Sequence, residues 1–184
     1  GFYPTPDQWL TRTETDVVLA FFGYNESFGD LNIFRRDLDS FITHTLAQKY
    51  NGKSSPRLVL FSPIAHENIK DRSLPDGKAN NARLEHLTRI MSEVCAARQV
   101  RFVDLFHPTL ESFQTAAKPY TINGIHLTAE GNRMVAALID RALFPDGPVF
   151  KRDATALEKL RQAVLDKNFY WFNRYRTVDG YSIY

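Results

Sequence analysis

Internal disulfides are excluded at once, because the 184 residues contain a single cysteine, Cys95. It falls at an apolar position of a predicted helix and reads as a packing residue. An excess of one charge is also missing. The chain has 23 lysines and arginines against 21 acidic residues, for a formal charge of +2. That balance implies a solvated surface and no nucleic-acid partner. No apolar run is long enough to span a bilayer. The opening "GFYPTPDQWL" has neither the basic start nor the apolar core of a signal peptide. It also lacks an initiator methionine, so the sequence reads as a fragment or a processed product; the periplasm or the cell exterior is the favoured compartment. No loop is glycine-rich enough to cradle a phosphate, and "HENIK" (66–70) lacks the second histidine of a zinc helix. No His/Cys/Asp/Glu set has metal-ligand spacing. No metal and no cofactor is therefore expected. Repeats and low-complexity stretches are absent as well.

What is present is an alternation of apolar runs and helical periods. "DVVLAFFG" (16–23), "RLVLFSP" (57–63) and "VRFVDLF" (100–106) predict three strands, the first two buried on both faces. Asp30 is placed to cap a helix carrying Phe34, Leu38, Phe41, Thr45 and Leu46 on one face. Residues 66–81 have no period and read as a long loop. A helix then presents Leu84, Leu87, Met91, Val94 and Cys95, and a short one is expected over 109–117. Thr128 predicts the N-cap of a helix with Val135, Leu138, Ile139 and Ala142 as its stripe, and Glu130 sits in its first turn.

Strand and helix in turn predict an α/β fold, a parallel sheet with helices on both faces. Three strands are few for such a sheet. After the break at "PDGP" (145–148), a charged helix is expected at about 153–167, with Leu157, Leu160 and Val164 facing inward. The end, "FYWFNRYRTVDGYSIY", holds seven aromatics: Phe169, Tyr170, Trp171, Phe172, Tyr175, Tyr181 and Tyr184. They predict a tail that packs on the body or on a partner, or a platform for sugar rings beside Arg174 and Arg176. The expected division is 1–148 as one domain and 149–184 as helix and tail.

Ligands of parallel sheets bind beyond the carboxyl ends of the strands. Three stretches converge there: Gly23 to Ser27, the loop from His66, and "TINGIHLTAEGN" (121–132). His126 lies on the turn before the Thr128-capped helix. Asn25 ends the first strand. The "Asn25-Glu26-Ser27" sequon is a poor glycan site in such a cleft. His44 and His86 lie within helices, at the surface. "DLFH" (104–107) repeats the Asp-x-x-His spacing, but Pro108 follows and no capped helix follows directly, so His126 is preferred to His107.

"FFGYNES" and "NGIHLTAEGN", about a hundred residues apart, resemble the third and fifth blocks of the SGNH (GDSL-type) hydrolase family. The resemblance covers residues 16–144. "KNFYWFNRYRTVDGY" is further similar to a tail of planctomycete-type relatives. The family implies a three-layer α/β/α sandwich of flavodoxin-like type, here without its first strand. It also implies hydrolysis of a carboxylic ester through an acyl-enzyme, without a cofactor. In that frame Asn25 donates to the oxyanion and His126 is the general base. Asn123 orients His126, and Gly23 and Glu26 flank the oxyanion donor; His66, just past the end of the second strand, is expected to line the substrate pocket. A small acyl group on a carbohydrate, such as an O-acetyl ester, is the expected substrate.

Three departures stand against the pattern. Asn123 replaces an acidic residue and cannot stabilise imidazolium with a full charge. Glu26 replaces an aspartate. The first and second blocks, with the nucleophilic serine and an oxyanion glycine, are absent: "FGDL" (28–31) has no serine, and no Gly-x-Ser-x-Gly elbow occurs. Ser27 and Ser62 are poor substitutes, so the nucleophile is expected upstream of Gly1, and this segment alone is expected to lack it. The rival expectation is a non-catalytic module that binds a glycan or docks neighbouring domains. A flavodoxin-like nucleotide binder is disfavoured by the lack of a glycine-rich loop. An exposed sheet edge would make a homodimer possible.

Overall fold

Each of the three apolar runs contributes one strand: β1 (Val17–Phe21), β2 (Arg57–Phe61) and β3 (Arg101–Val103). They pair in parallel in the order β1-β2-β3, with Val17 opposite Arg57 and Val59 opposite Arg101. The structure is a computed structural model that describes residues 3–147 and 153–175. Among the described residues six α-helices accompany the strands: α1 (Pro6–Arg12), α2 (Leu31–Ala47), α3 (Lys78–Ala97), α4 (Phe106–Thr115), α5 (Ala129–Leu143) and α6 (Ala154–Tyr175).

Alternation along the strands sorts the core into layers. Ala20, Leu58 and Leu60 turn to one face and pack with Leu38 and Ile42 of α2 and Leu87, Met91 and Cys95 of α3. Val59, Phe61 and Val103 turn to the other and meet Val135 of α5, with Leu138 and Ile139 alongside. Each fully buried leucine or isoleucine here contributes about 1.5–3 kcal/mol. Burial also pushes the Cys95 thiol up to about 11, so it remains a protonated packing group. The expected three-layer α/β/α arrangement is thus present.

β2 is buried on both faces, as its sequence predicts, but β1 is not. Val17, Leu19 and Phe21 are exposed, Phe21 by 54%. The cause is positional: the α5 cluster gathers side chains from β2 and β3 only, and β1 is an edge strand. Phe21 still stacks on Phe61, with ring centroids 4.1 Å apart.

Helix starts follow local chemistry. The Asp30 side chain accepts from the Asn32 amide and Thr128 from that of Gly131, as expected. α1 is not anticipated by the sequence reading, although Thr5 and Gln8 form a capping box at its start. α3 begins at Lys78, inside the stretch predicted as loop. α4 starts at Phe106 rather than 109, because Pro108 in a first turn gives up no intrahelical bond. Ala142 is exposed on α5.

The chain divides into two units, Gly1–Pro145 and Asp146–Tyr184. The expected boundary at 148, with Arg176, Tyr181 and Tyr184, lies outside the described residues. In the second unit α6 runs on through the predicted start of the tail. Leu157, Leu160 and Val164 are exposed on it rather than inward, and so are Phe169, Tyr170, Trp171 and Phe172.

Candidate active site

β1 ends into a loop built around Gly23. This residue has φ +120°, a region open to glycine, and an added Cβ would lie 2.9 Å from Leu87 Cδ2 and 3.0 Å from Pro63 Cγ. The close approach that demands glycine is therefore to the protein's own core. The Gly23 N–H donates to Glu26 Oε2 at 2.9 Å. Glu26 thus folds the loop back on itself, and its carboxylate and the Gly23 amide are occupied by each other. Ser27 completes the turn: its N–H donates to the Gly23 carbonyl, and its hydroxyl to that of Tyr24 at 2.7 Å.

This turn presents Asn25. The residue precedes a single 3₁₀ turn, Glu26–Phe28, but its side chain makes no capping bond. That side chain is exposed and forms no hydrogen bond with any described residue, while the Asn25 carbonyl accepts the Phe28 N–H at 3.2 Å. The Asn25 amide is available to a ligand.

The second loop runs from Tyr120 to Thr128. A bridge between Thr121 and Leu127 pinches it, and the Ile122 N–H donates to the His126 carbonyl. Glu67 anchors it from below. Its buried carboxylate accepts from the Tyr120 and Thr121 amides and from the Thr121 hydroxyl, at 3.0, 2.7 and 2.6 Å. Such charge-assisted bonds to a fully buried carboxylate are the strong kind.

Within the loop, Asn123 Oδ1 accepts the backbone N–H groups of Ile125 and His126 at 3.3 and 3.0 Å. Two N–H donors identify that atom as the oxygen of the amide. His126 Nδ1 lies 3.0 Å from the same oxygen, so Nδ1 carries the proton and donates it. The lone pair is left on Nε2, on an exposed side chain. A neutral asparagine therefore fixes the tautomer that a general base requires.

Asn25 and His126 line one pocket of about 500 Å³, on the exposed side of β1. Phe21, Phe22, Ile64, Ile125 and Leu127 give it mostly apolar walls. Ser62 also lines it but is only 2% exposed. Its hydroxyl donates to the Pro63 carbonyl and accepts the Leu105 and Phe106 amides at 2.8 and 3.0 Å. Ser27 is buried as well, at 1% exposure. Both hydroxyls are bound into the backbone and are out of reach of a ligand.

His66 does not line this pocket. It is 5% exposed and borders a separate cavity of about 490 Å³ with Glu67 and Lys118. Asp104 and His107 do pair, with Nδ1 2.5 Å from Oδ2. They border a third pocket, of about 550 Å³, that holds neither Asn25 nor His126. Among the described residues no group of three or more His, Cys, Asp or Glu side chains could hold a metal. The anchoring by Glu67 has no counterpart in the sequence reading, since it depends on contacts across the fold.

The model of the GDSL-like Lipase/Acylhydrolase family matches residues 3–134. No curated protein matches the chain. Among solved structures, the chain is similar to a catalytic mutant of Axe2, an acetylxylan esterase from Geobacillus stearothermophilus, at 15% identity and a TM-score of 0.56. That match covers 71% of this chain and 60% of the esterase. It is also similar to a lipase/acylhydrolase from Enterococcus faecalis, at 20% identity and a TM-score of 0.52, covering 77% of this chain and 67% of the other. A third, the acetyl xylan esterase AlAXEase, has 22% identity and a TM-score of 0.54, with 72% and 69% covered. The chain thus spans about 60% of the first of these esterases. With a family match over residues 3–134, more than half of its length, the chain belongs to the GDSL-like lipase/acylhydrolase family.

Proposed function

We propose that the protein hydrolyses carboxylic esters through an acyl-enzyme, with His126 as general base and Asn25 as oxyanion donor. The observation that carries this reading is the shared pocket: an unengaged amide on Asn25 and an imidazole held in the basic-Nε2 tautomer face the same 500 Å³. The nucleophile is a serine from chain outside these 184 residues. Ser27 and Ser62 are both buried and bound to backbone, so neither supplies it.

The serine Oγ attacks the acyl carbonyl carbon while His126 Nε2 takes its proton. The carbonyl oxygen becomes an oxyanion, and the Asn25 amide N–H donates to it. Collapse expels the alcohol, which takes the proton from His126. Water then attacks the acyl-serine with His126 again as base, releasing the acid and restoring the serine. No cofactor enters these steps.

A small acyl group fits the apolar walls, and an O-acetylated carbohydrate is the substrate class proposed. Acetylxylan esterases among the structural relatives favour it. The uncharged Asn123 favours a second reading, a binding module on the same fold.

One substitution separates the two. In an enzyme, Asn123→Asp keeps the acceptor for the Ile125 and His126 amides and adds the charge that stabilises imidazolium. Replacing the aspartate of a serine hydrolase triad by asparagine costs about 10⁴-fold, largely through the wrong tautomer. Here the tautomer is already correct, so a gain in kcat of about 10-fold to 100-fold is expected from the charge alone. Steady-state turnover of acetyl esters by the full-length protein checks it. No turnover by either form, with saccharide binding intact, would favour the module.

A further inference from the structure

His66 sits where the two halves of the site meet. Its Nδ1 lies 3.1 Å from the Tyr24 hydroxyl and 3.0 Å from Asn80 Nδ2, and Asn80 Nδ2 also donates to the Tyr24 hydroxyl at 3.1 Å. Tyr24 directly precedes Asn25. The opposite edge of the ring rests on the base loop. A Cβ added to Gly124, which has φ +92°, would lie 2.4 Å from His66 Nε2, so the ring fills the space that a side chain would need. Gly124 directly follows Asn123.

The backbone on either side of the ring is fixed too. The His66 N–H donates to Asn81 Oδ1 at 2.7 Å, and Asn81 Nδ2 returns a bond to the His66 carbonyl at 2.9 Å. The Glu67 N–H donates to the Gly124 carbonyl at 2.9 Å. With the Asn80 amide donating, Nδ1 is an acceptor and the imidazole is neutral. Nε2 has no hydrogen-bond partner among the described residues. Burial holds this imidazole below the usual histidine range, against the opposing pull of the nearby Pro75 carbonyl and Asp76 carboxylate.

We propose that His66 is a positioning residue that sets the spacing between Asn25 and His126: its Nδ1 fixes the oxyanion loop through Tyr24, and its ring edge fixes the base loop at Gly124. The role rests on the ester-hydrolase reading above. A buried ring that bears on both loops moves both when it moves. Displacements of about 1 Å in a catalytic constellation cost on the order of 100-fold in rate.

Three variants of the full-length protein divide the role. Tyr24→Phe removes one hydroxyl. His66→Phe keeps a ring against Gly124 and loses the acceptor. His66→Asn keeps an acceptor near Nδ1 and vacates the ring edge. Each is expected to lower kcat on a small acetyl ester by about 10-fold to 100-fold, with KM within about 3-fold. In ¹H–¹⁵N spectra, Tyr24→Phe should shift the Asn25 side-chain amide. His66→Asn should shift the Gly124 and His126 amides, whether or not the protein turns over an ester. Unchanged kcat per folded molecule, or unchanged resonances in both loops, would overturn the proposal. Asn25→Ala and His126→Ala mark the other failure: if they leave turnover intact, the ester-hydrolase reading falls, while the resonance shifts still decide the role of His66.

Discussion

His126→Ala is expected to lower kcat of the full-length protein on a small acetyl ester by about 10³–10⁴-fold, with little change in KM. Positioned general bases contribute about 10²–10⁴-fold, and in the proposed mechanism His126 also returns the proton to the leaving alcohol. Neither His66 nor His107 can substitute. His66 is buried with Nδ1 committed to Tyr24 and Asn80, and His107 is paired with Asp104 at a different pocket. His126 is exposed and its ring bonds only to Asn123, so the substitution removes no core contact and the protein is expected to fold. Equal KM with lower kcat would mark an interaction made only in the transition state. Stopped assays of initial rate against ester concentration give both constants.

Asn25→Ala carries the second largest expected effect, a loss of about 10²–10³ in kcat, or about 3–4 kcal/mol of transition-state stabilisation. The reasoning is geometric. An asparagine at a strand-end turn ordinarily spends its side chain on the local backbone. Asn25 does not: it makes no capping bond, and Glu26 and Ser27 hold the turn in its place. The loop should therefore survive the substitution, and the melting temperature should be nearly unchanged. A large loss of stability with only a small loss in kcat would show that Asn25 is a structural turn residue.

The parts of this site that were legible in the sequence are those made within a single turn. The three-residue spacing of Asn123 and His126 closes its hydrogen bonds locally, and the Thr128 cap that follows is local too. Asn25 could be placed because a continuous apolar run ends two residues before it at Gly23. The Tyr24–His66–Asn80 cluster was not legible. His66 and Asn80 lie 42 and 56 positions after Tyr24, and the three meet only because β1 and β2 pair in parallel and α3 begins at Lys78. That early start was hidden by "LPDGK", which reads as turn. For the same reason His66 could be placed near the strand ends but not assigned to the separate cavity it borders.

The sheet shows the same limit. A run such as "VVLAF" carries no period, and burial on one face or both looks alike in it. Only its place at the edge of the sheet leaves Val17, Leu19 and Phe21 exposed. Pro108 reads as a sign against a helix directly after His107, but a first helical turn tolerates proline, so the Asp104–His107 pair could not be judged from spacing. What separates that pair from Asn123–His126 is the company of Asn25 in the pocket, which is a tertiary fact.

The central claim is that Asn25 and His126 serve a nucleophilic serine that these 184 residues do not contain. Its most direct test is to treat the folded full-length protein with a fluorophosphonate and locate the adduct by mass spectrometry. The account predicts a single adduct on a serine outside this segment, lost in His126→Ala. Absence of any adduct from the folded protein, or an adduct on Ser27 or Ser62, would contradict it.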